Sequence, residues 1–133
     1  MTNFQGVVFD LPMTASGDLN SYQYYFVKGA STAGRVDAAT GASGPHVLGV
    51  LQNDPRSLEE ATVRILGTSK VYFSSSTALG YMDLVSSGSA GAGEAQSGSR
   101  PAVGYALENV VAGTGYAEVL LSPVIPIITD NTP

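Results

Sequence analysis

The sequence contains no cysteine, a single histidine and only six basic residues. Without cysteine the chain can form no disulfide, no thiolate metal site and no thiol nucleophile, and its redox compartment stays open. Any His-ligated metal site or Ser/His pair would have to be built around His46, and no His-x-Glu or His-Glu-x-x-His spacing is present. We therefore expect no bound metal and no cofactor.

Positive charge is scarce and scattered, and the formal net charge is −5. No cluster of Lys and Arg could neutralise a row of phosphates, so a nucleic acid is not an expected partner. No apolar run is long enough to cross a bilayer, so we expect no membrane association. Residues 1–11 have no basic residue before their apolar stretch and do not resemble a secretory signal, which predicts synthesis in the cytoplasm.

Glycine and proline interrupt the chain so often that long helices have no room. At 133 residues the chain has the size of one domain. Short runs rich in β-branched and aromatic residues lie between the interruptions, and they predict strands. These runs are residues 22–28, 47–52, 61–66, 70–73, 81–86, 103–109 and 116–122. We predict an all-β fold, either a small β-barrel or a β-sandwich.

The segments between these runs offer one possible helix start. Ser57-Leu58-Glu59-Glu60 fits a capping box, but a strand-like pattern follows at once, so the alternative is a turn. Residues 29–44 and 86–99 are rich in small side chains and predict loops or hairpin tips. The apolar segment 122–129 is interrupted by prolines, which favour an extended path.

An internal repeat supports the strand prediction. Residues 49–53 followed by 61–65 resemble residues 104–109 followed by 117–121, at an offset of roughly 55 residues. Two similar hairpin units could therefore pack into one barrel or sandwich, although chance similarity between short strands is the alternative. Two copies are too few for a solenoid.

Candidate catalytic features are weak. Glu59 and Glu60 are adjacent, and adjacent residues of an extended chain point to opposite sides, so a solvated turn explains them better than acid/base chemistry. Lys70 could be compared with a carrier lysine on a hairpin, but no acidic residue flanks it; an exposed lysine that discourages edge pairing is the simpler reading. The glycine-rich segments match no phosphate-binding motif.

Aromatic residues are concentrated in the run that begins at Tyr22. A period of two would place Tyr22, Tyr24 and Phe26 on one face of a strand. Such a strand either lies within the core or contacts another subunit, where tyrosine is favoured because it combines a large area with a polar tip.

Several motifs follow one another along the chain, at residues 24–28, 34–37, 48–55, 61–71, 80–85, 103–108 and 117–123. Their ordered series resembles the capsid decoration (cement) proteins of tailed phages, and the resemblance covers about 21–123. It implies a small β-barrel or β-sandwich, often trimeric, that attaches near three-fold positions to the outside of an assembled head and stabilises it. The implied partner is the major capsid protein, and the family brings no catalytic residues.

The division of the chain follows from this coverage. We expect an N-terminal arm or edge segment over 1–20, a β domain over 21–123 and an extended C-terminal tail over 124–133. Residues expected to contact the capsid or another subunit are the apolar residues of the two ends and two tyrosines, namely Phe4, Val7, Val8, Phe9, Leu11, Tyr22, Tyr24, Val124, Ile125, Ile127 and Ile128. For residues 5–10 the alternative is that they complete the protein's own sheet.

Two other functions remain open on the sequence. A β-rich tail or baseplate accessory protein, or a generic interaction domain, would have the same size and composition. A small hydrolase using His46 belongs to another class, and it lacks the Gly-x-Ser-x-Gly nucleophile motif.

Overall fold

Nine strands and one three-residue 3-10 turn, Ser89–Gly91, form the regular secondary structure of the described residues. The structure is a computed structural model that describes residues 7–40, 47–97, 102–113 and 115–121. The strands are β1 (Phe9–Ala15), β2 (Phe26–Gly29), β3 (Arg35–Ala38), β4 (Val47–Leu51), β5 (Glu60–Tyr72), β6 (Leu84–Ser87), β7 (Gly93–Ala95), β8 (Gly104–Ala106) and β9 (Tyr116–Leu121). The predicted all-β class is confirmed.

Five strands close into a barrel in the order β1-β3-β2-β4-β5, because β5 pairs back onto β1. The β1–β5 ladder is antiparallel and runs from Phe9↔Leu66 to Thr14↔Glu60. The β1–β3 pairing is parallel and involves Thr14 and Ala15. Closure removes the free strand edges that an open sheet would expose.

The second half of β5 belongs to another set of strands. Residues 67–72 of β5 pair with β9, and the order continues β9-β8-β6-β7. A parallel bridge between Phe73 and Gly93 connects β7 back to the end of β5. The strand changes partners at Gly67, whose φ of +101° is a conformation that glycine adopts more readily than other residues.

The two sets of strands are copies of one arrangement. We call residues 9–66 the first unit and residues 67–121 the second unit. The second half of β5 takes the place of β1, and β6, β7, β8 and β9 take the places of β2, β3, β4 and the first half of β5. The cyclic order is the same in both units, and the parallel contact falls at the same point. The predicted repeat is confirmed and extends over the whole described domain.

Backbone details repeat as well. Tyr24 N donates to Leu51 O at 2.7 Å, and Met82 N donates to Ala106 O at 2.6 Å. Tyr24 and Met82 have nearly the same positive φ, 72° and 71°. The repeat therefore preserves a backbone conformation that is uncommon for side chains of this size.

Close approach between strands repeats at two glycines. A Cβ on Gly49 would overlap the Arg64 carbonyl oxygen and lie 2.9 Å from Val63 Cγ1. A Cβ on Gly104 would overlap the Leu120 carbonyl oxygen and also lie 2.9 Å from Val119 Cγ1. Each unit thus needs glycine at the same place.

Two groups of buried side chains form the core. The interior of the first barrel holds Ala15, Leu19, Val27, Val36, Leu51, Ala61 and Val63. The second group joins the interior of the second unit to residues of the first, and it holds Phe26, Ala39, Val50, Val71, Phe73, Leu79, Val85, Ala106, Val110, Ala117, Val119 and Leu121. Because Phe26 and Val50 come from the first unit, the second unit does not complete its core alone.

Part of the segment 1–20, for which an arm or an edge segment is predicted, forms a strand. Residues 9–15 form β1 inside the barrel, so for Phe9 the alternative of completing the protein's own sheet holds. Pro12 is tolerated because β3 pairs only with Thr14 and Ala15, which leaves the Pro12 region of β1 with β5 as its one paired neighbour.

Other boundaries also differ from the predictions. The run 22–28 becomes a strand only at Phe26, and 61–66 and 70–72 belong to the single strand β5. Both predicted loops contain a strand, β3 in 29–44 and β7 in 86–99. Residues 57–59 form a turn rather than a helix and Glu60 begins β5, with Glu59 Oε1 accepting from Arg56 N at 2.9 Å.

We expect Gly49→Ala and Gly104→Ala to destabilise the protein by similar amounts, about 1–3 kcal/mol each, because overpacking against a neighbouring backbone forces strand shifts. Gly29→Ala is the matched control, since a Cβ there meets nothing within 4 Å. Urea unfolding would measure the free energies. Equal stability of all three variants would contradict the proposed close approach.

Candidate functional site

Five tyrosines form a continuous cluster where the two units meet. The rings of Tyr25 and Tyr72 stack with centroids 4.9 Å apart and an interplanar angle of 17°. Tyr22 meets Tyr25 edge-on at 5.0 Å, and Tyr116 meets Tyr72 at 5.3 Å and Tyr24 at 6.0 Å. We call these residues the tyrosine cluster. Aromatic pairs in such geometries add to the energy of burial.

The cluster combines residues from distant parts of the sequence. Tyr22, Tyr24 and Tyr25 lie in the turn before β2, whereas Tyr72 and Tyr116 face each other in the β5–β9 ladder. The predicted alternation of Tyr22 and Tyr24 along one strand is wrong, because β2 begins only at Phe26 and Tyr24 has a positive φ in the turn before it. The tyrosines nevertheless come together through the turn.

Lys70 places a positive charge over this cluster. Its Nζ lies 5.2 Å from the centroid of the Tyr24 ring and 5.8 Å from that of Tyr116. Both distances are within the range of cation–π attraction. Lys70 is paired with Glu118 across the β5–β9 ladder, so it does not lie on a free edge as the simpler sequence reading supposed.

Charged groups beside the cluster perturb one another. Arg64 Nε donates to Asp10 Oδ1 at 2.8 Å, and this hydrogen bond raises the pKa of Arg64. Burial and then the neighbouring Glu108 raise the pKa of Glu118, against the opposing effects of Lys70 and Arg64. Burial also raises the pKa of Tyr25, with smaller contributions from Tyr72, Tyr116 and Tyr22.

The arrangement suits contact with another macromolecule better than catalysis. Tyrosine rings offer a large apolar area with polar tips, the composition typical of protein interfaces. Among the described residues there is no group of three or more His, Asp or Glu side chains that could hold a metal ion. His46, the centre of the hydrolase alternative, lies outside the described residues.

Two further apolar surfaces are exposed. The N-terminal apolar patch consists of Val7, Val8, Phe9 and Leu66, with Val7 82% exposed. Its members adjoin because Phe9 pairs with Leu66, and Val8 lies against Gly67. The apolar row consists of Leu84, Tyr105 and Leu120, which are register neighbours on β6, β8 and β9. Exposed apolar patches often mark binding sites.

The structure separates the predicted contact residues into three groups. Val7, Val8 and Phe9 are exposed and lie together, while Leu11 is half-buried in β1. Tyr22 and Tyr24 lie in the tyrosine cluster. The remaining five predicted residues lie outside the described residues, namely Phe4, Val124, Ile125, Ile127 and Ile128.

Sequence reasoning missed Tyr72, Tyr116 and the three residues of the apolar row. Tyr72 and Tyr116 both fall in predicted strands, but nothing local indicates that they face the turn at Tyr24. The alignment of the two repeats matches Tyr105 with Val50 and Leu120 with Arg64, but it does not indicate that Tyr105 and Leu120 are exposed.

Within the described parts of the chain, no helix is long and apolar enough to cross a membrane.

We expect Glu118→Gln to stabilise the fold at neutral pH, because the raised pKa of Glu118 means that the folded state disfavours its charged form. The sign follows from linkage: the cost is present above the raised pKa and disappears as the pH falls below the ordinary carboxyl range. Thermal unfolding at pH 7 and at pH 3.5 would measure this. Glu60→Gln, at an exposed position, controls for the lost charge; an equal change in both variants would contradict the prediction.

No protein-family model matches the sequence, and no curated protein matches it. Among solved structures, the chain is similar to the N base of the head fiber protein gp8.5 of bacteriophage phi29, with a TM-score of 0.61. The likeness covers 88% of this chain and 96% of that chain, at 16% sequence identity. At this identity the likeness shows a shared fold: the two-unit β architecture described above is one that a phage head fiber base also adopts.

Proposed function

We propose that the protein is a non-enzymatic structural component of a bacteriophage virion that binds the outside of the assembled head and stabilises it. The observation that carries this proposal is the shared fold with the phi29 head fiber base, which spans nearly the whole of that chain. The ordered sequence resemblance to capsid decoration proteins supports the same role. The partner is then the major capsid protein, and the protein is made in the host cytoplasm before it joins the virion.

The N-terminal apolar patch is the proposed head contact. Val7, Val8 and Phe9 are exposed next to one another, although burial would be favourable by roughly 1.5–3 kcal/mol for each side chain. Ordering a flexible segment costs about 1–2 kcal/mol per backbone residue, so one copy gains little. Phe9 already lies in β1, which lowers that cost because its backbone is fixed before binding.

Tight attachment would come from several copies acting together. When one patch of an oligomer is bound to the head, the effective concentration of its other patches at the head surface is raised. An oligomer with several patches therefore binds far more tightly than one copy. The family resemblance supplies three as the number of subunits, and Tyr22 and Tyr24 of the tyrosine cluster are the proposed subunit contact. A protein that binds only the assembled head stabilises that state by mass action.

Purified protein should co-sediment with undecorated heads and not with isolated tails, and electron microscopy should show added density on the head surface. Val7→Asp combined with Phe9→Asp should weaken head binding at least about tenfold, equivalent to 1.4 kcal/mol. Leu58→Asp is the matched control, since Leu58 is also an exposed apolar residue. Circular dichroism would verify that all variants keep their β structure. Binding to tails, or undiminished head binding by the double variant, would contradict the proposal.

We expect trimers in solution or on the head, and sedimentation equilibrium would measure the mass in solution. Tyr22→Ser and Tyr24→Ser should shift the equilibrium toward monomers, because they remove apolar contact area. Tyr81→Ser, at an exposed tyrosine outside the cluster, is the control. A monomer in solution that also binds heads as isolated copies would rule out the trimer.

A further inference from the structure

The apolar row of the second unit is exposed where the first unit is covered. Leu84 pairs with Tyr105, and Tyr105 pairs with Leu120, so the three side chains form one line across β6, β8 and β9. They are 42%, 37% and 37% exposed. Met82, in the turn before β6, is 43% exposed.

The corresponding line in the first unit is Phe26, Val50 and Arg64, which pair in the same way across β2, β4 and β5. Phe26 and Val50 are completely buried. The second unit covers this line, and the second half of β5 is part of the cover, because Val71 and the following Phe73 belong to the same buried group. This part of the cover is the direct continuation of the strand that carries Arg64.

Three hydrogen bonds fix the second half of β5 over the first unit. Gln52 Nε2 donates to Ser69 Oγ at 2.9 Å. Arg64 Nη1 donates to the carbonyl oxygen of Thr68 at 3.2 Å. Farther along, the backbone N of Tyr72 donates to the carbonyl oxygen of Tyr24 at 2.9 Å.

In the second unit the corresponding continuation is the segment 122–128, which follows directly after β9. The first half of β5 matches β9 at an offset of 56 residues, as Val63 with Val119 and Arg64 with Leu120. The same offset carries Thr68 to Val124 and Ser69 to Ile125.

The pair of residues in contact at Gln52 and Ser69 is replaced as a pair in the second unit. Leu107 corresponds to Gln52, because Gln52 N donates to Thr62 O and Leu107 N donates to Glu118 O in the same way. The polar pair of Gln52 and Ser69 in the first unit thus becomes Leu107 and Ile125 in the second.

The donor of the second contact changes in the same direction. Arg64 in the first unit becomes Leu120 in the second, and Thr68 becomes Val124. The acceptor of Arg64 is the backbone carbonyl of Thr68, which any residue supplies, so the loss of the guanidinium is the change that an apolar segment lying on this row requires.

We propose that residues 122–128 lie over the apolar row of the same chain, as the second half of β5 lies over Phe26 and Val50. Val124 then contacts Leu120, and Ile125 contacts Leu107. The segment is a structural cover of the second unit, and its apolar side chains are used within the chain rather than for head attachment. This inference rests on the internal repeat and does not depend on the proposed function.

The absence of cysteine from the sequence makes the test direct. In the full chain, Leu107→Cys combined with Ile125→Cys should be bridged by a short bis-maleimide to give a monomer with one reagent attached at both ends. Lys70→Cys with Glu118→Cys is the positive control, since the two residues are register neighbours on β5 and β9 and neither is buried. Leu58→Cys with Ile125→Cys is the negative control, because Leu58 lies in the turn at the first-unit end of β5.

Intact mass and denaturing gels would separate the outcomes at dilute protein concentration. The proposal requires bridged monomer at a yield near that of the positive control and at least several-fold above the negative control. A covalent dimer would show that the segment covers the row of a second copy. A dimer, or bridging no better than the negative control, would overturn the proposal.

A second measurement uses variants without cysteine and without heads. Ile125→Asp should lower the melting temperature and increase the binding of an apolar dye, because the row loses its cover. Asn131→Asp adds the same charge outside the proposed contact and should do neither. If Ile125→Asp leaves both properties unchanged, the segment does not lie on the row; loss of head binding alone would then assign Ile125 to attachment instead.

Discussion

The continuity of β5 is the constraint on which the rest of the structure depends. One strand of thirteen residues serves as the last strand of the first unit and as the first strand of the second. At Gly67 it exchanges its partners β1 and β4 for β9 without ending. The two units are therefore joined by backbone hydrogen bonds on both sides of a single strand, and not by a linker.

The shared strand also explains why the cores and the tyrosine cluster span both units. The side chains of Phe26 and Val50 lie on the outer face of the first barrel and belong to the buried group formed mainly by the second unit. Tyr72 lies on the shared strand between the turn at Tyr24 and the start of β9 at Tyr116. A rotation of one unit against the other would break the stack of Tyr25 on Tyr72, so the cluster reports on the relative position of the units.

Sequence reasoning predicted the features that depend on local pattern. The all-β class and the repeat are confirmed, and the runs 47–52 and 116–122 contain β4 and β9, since β-branched residues between turn residues give strands in any context that buries one face. Strands β3 and β7 were missed because they lie in segments rich in small residues, and such strands form only because a neighbour offers a ladder. The break predicted between the runs 61–66 and 70–73 is absent, because β5 pairs with β9 from Gly67 onward, directly after its pairing with β1 ends at Leu66. The tyrosine cluster was predicted only for Tyr22 and Tyr24, since its other contacts join residues far apart in sequence.

The two units show which features the fold requires and which are free to change. Both units keep a glycine at Gly49 and Gly104, a positive φ at Tyr24 and Met82, and the same hydrogen bonds from those turns to the adjoining strand. These features set strand spacing and turn direction, which are the same in both units. The line of side chains on the outer face of each unit differs at every position: Phe26, Val50 and Arg64 in one unit, and Leu84, Tyr105 and Leu120 in the other.

The backbone beneath the two lines is nearly the same, so the segment that covers each line decides which side chains it carries. Buried Phe and Val with a hydrogen-bonded Arg fit a cover that carries Thr68 and Ser69, whereas two leucines and a tyrosine fit an apolar cover.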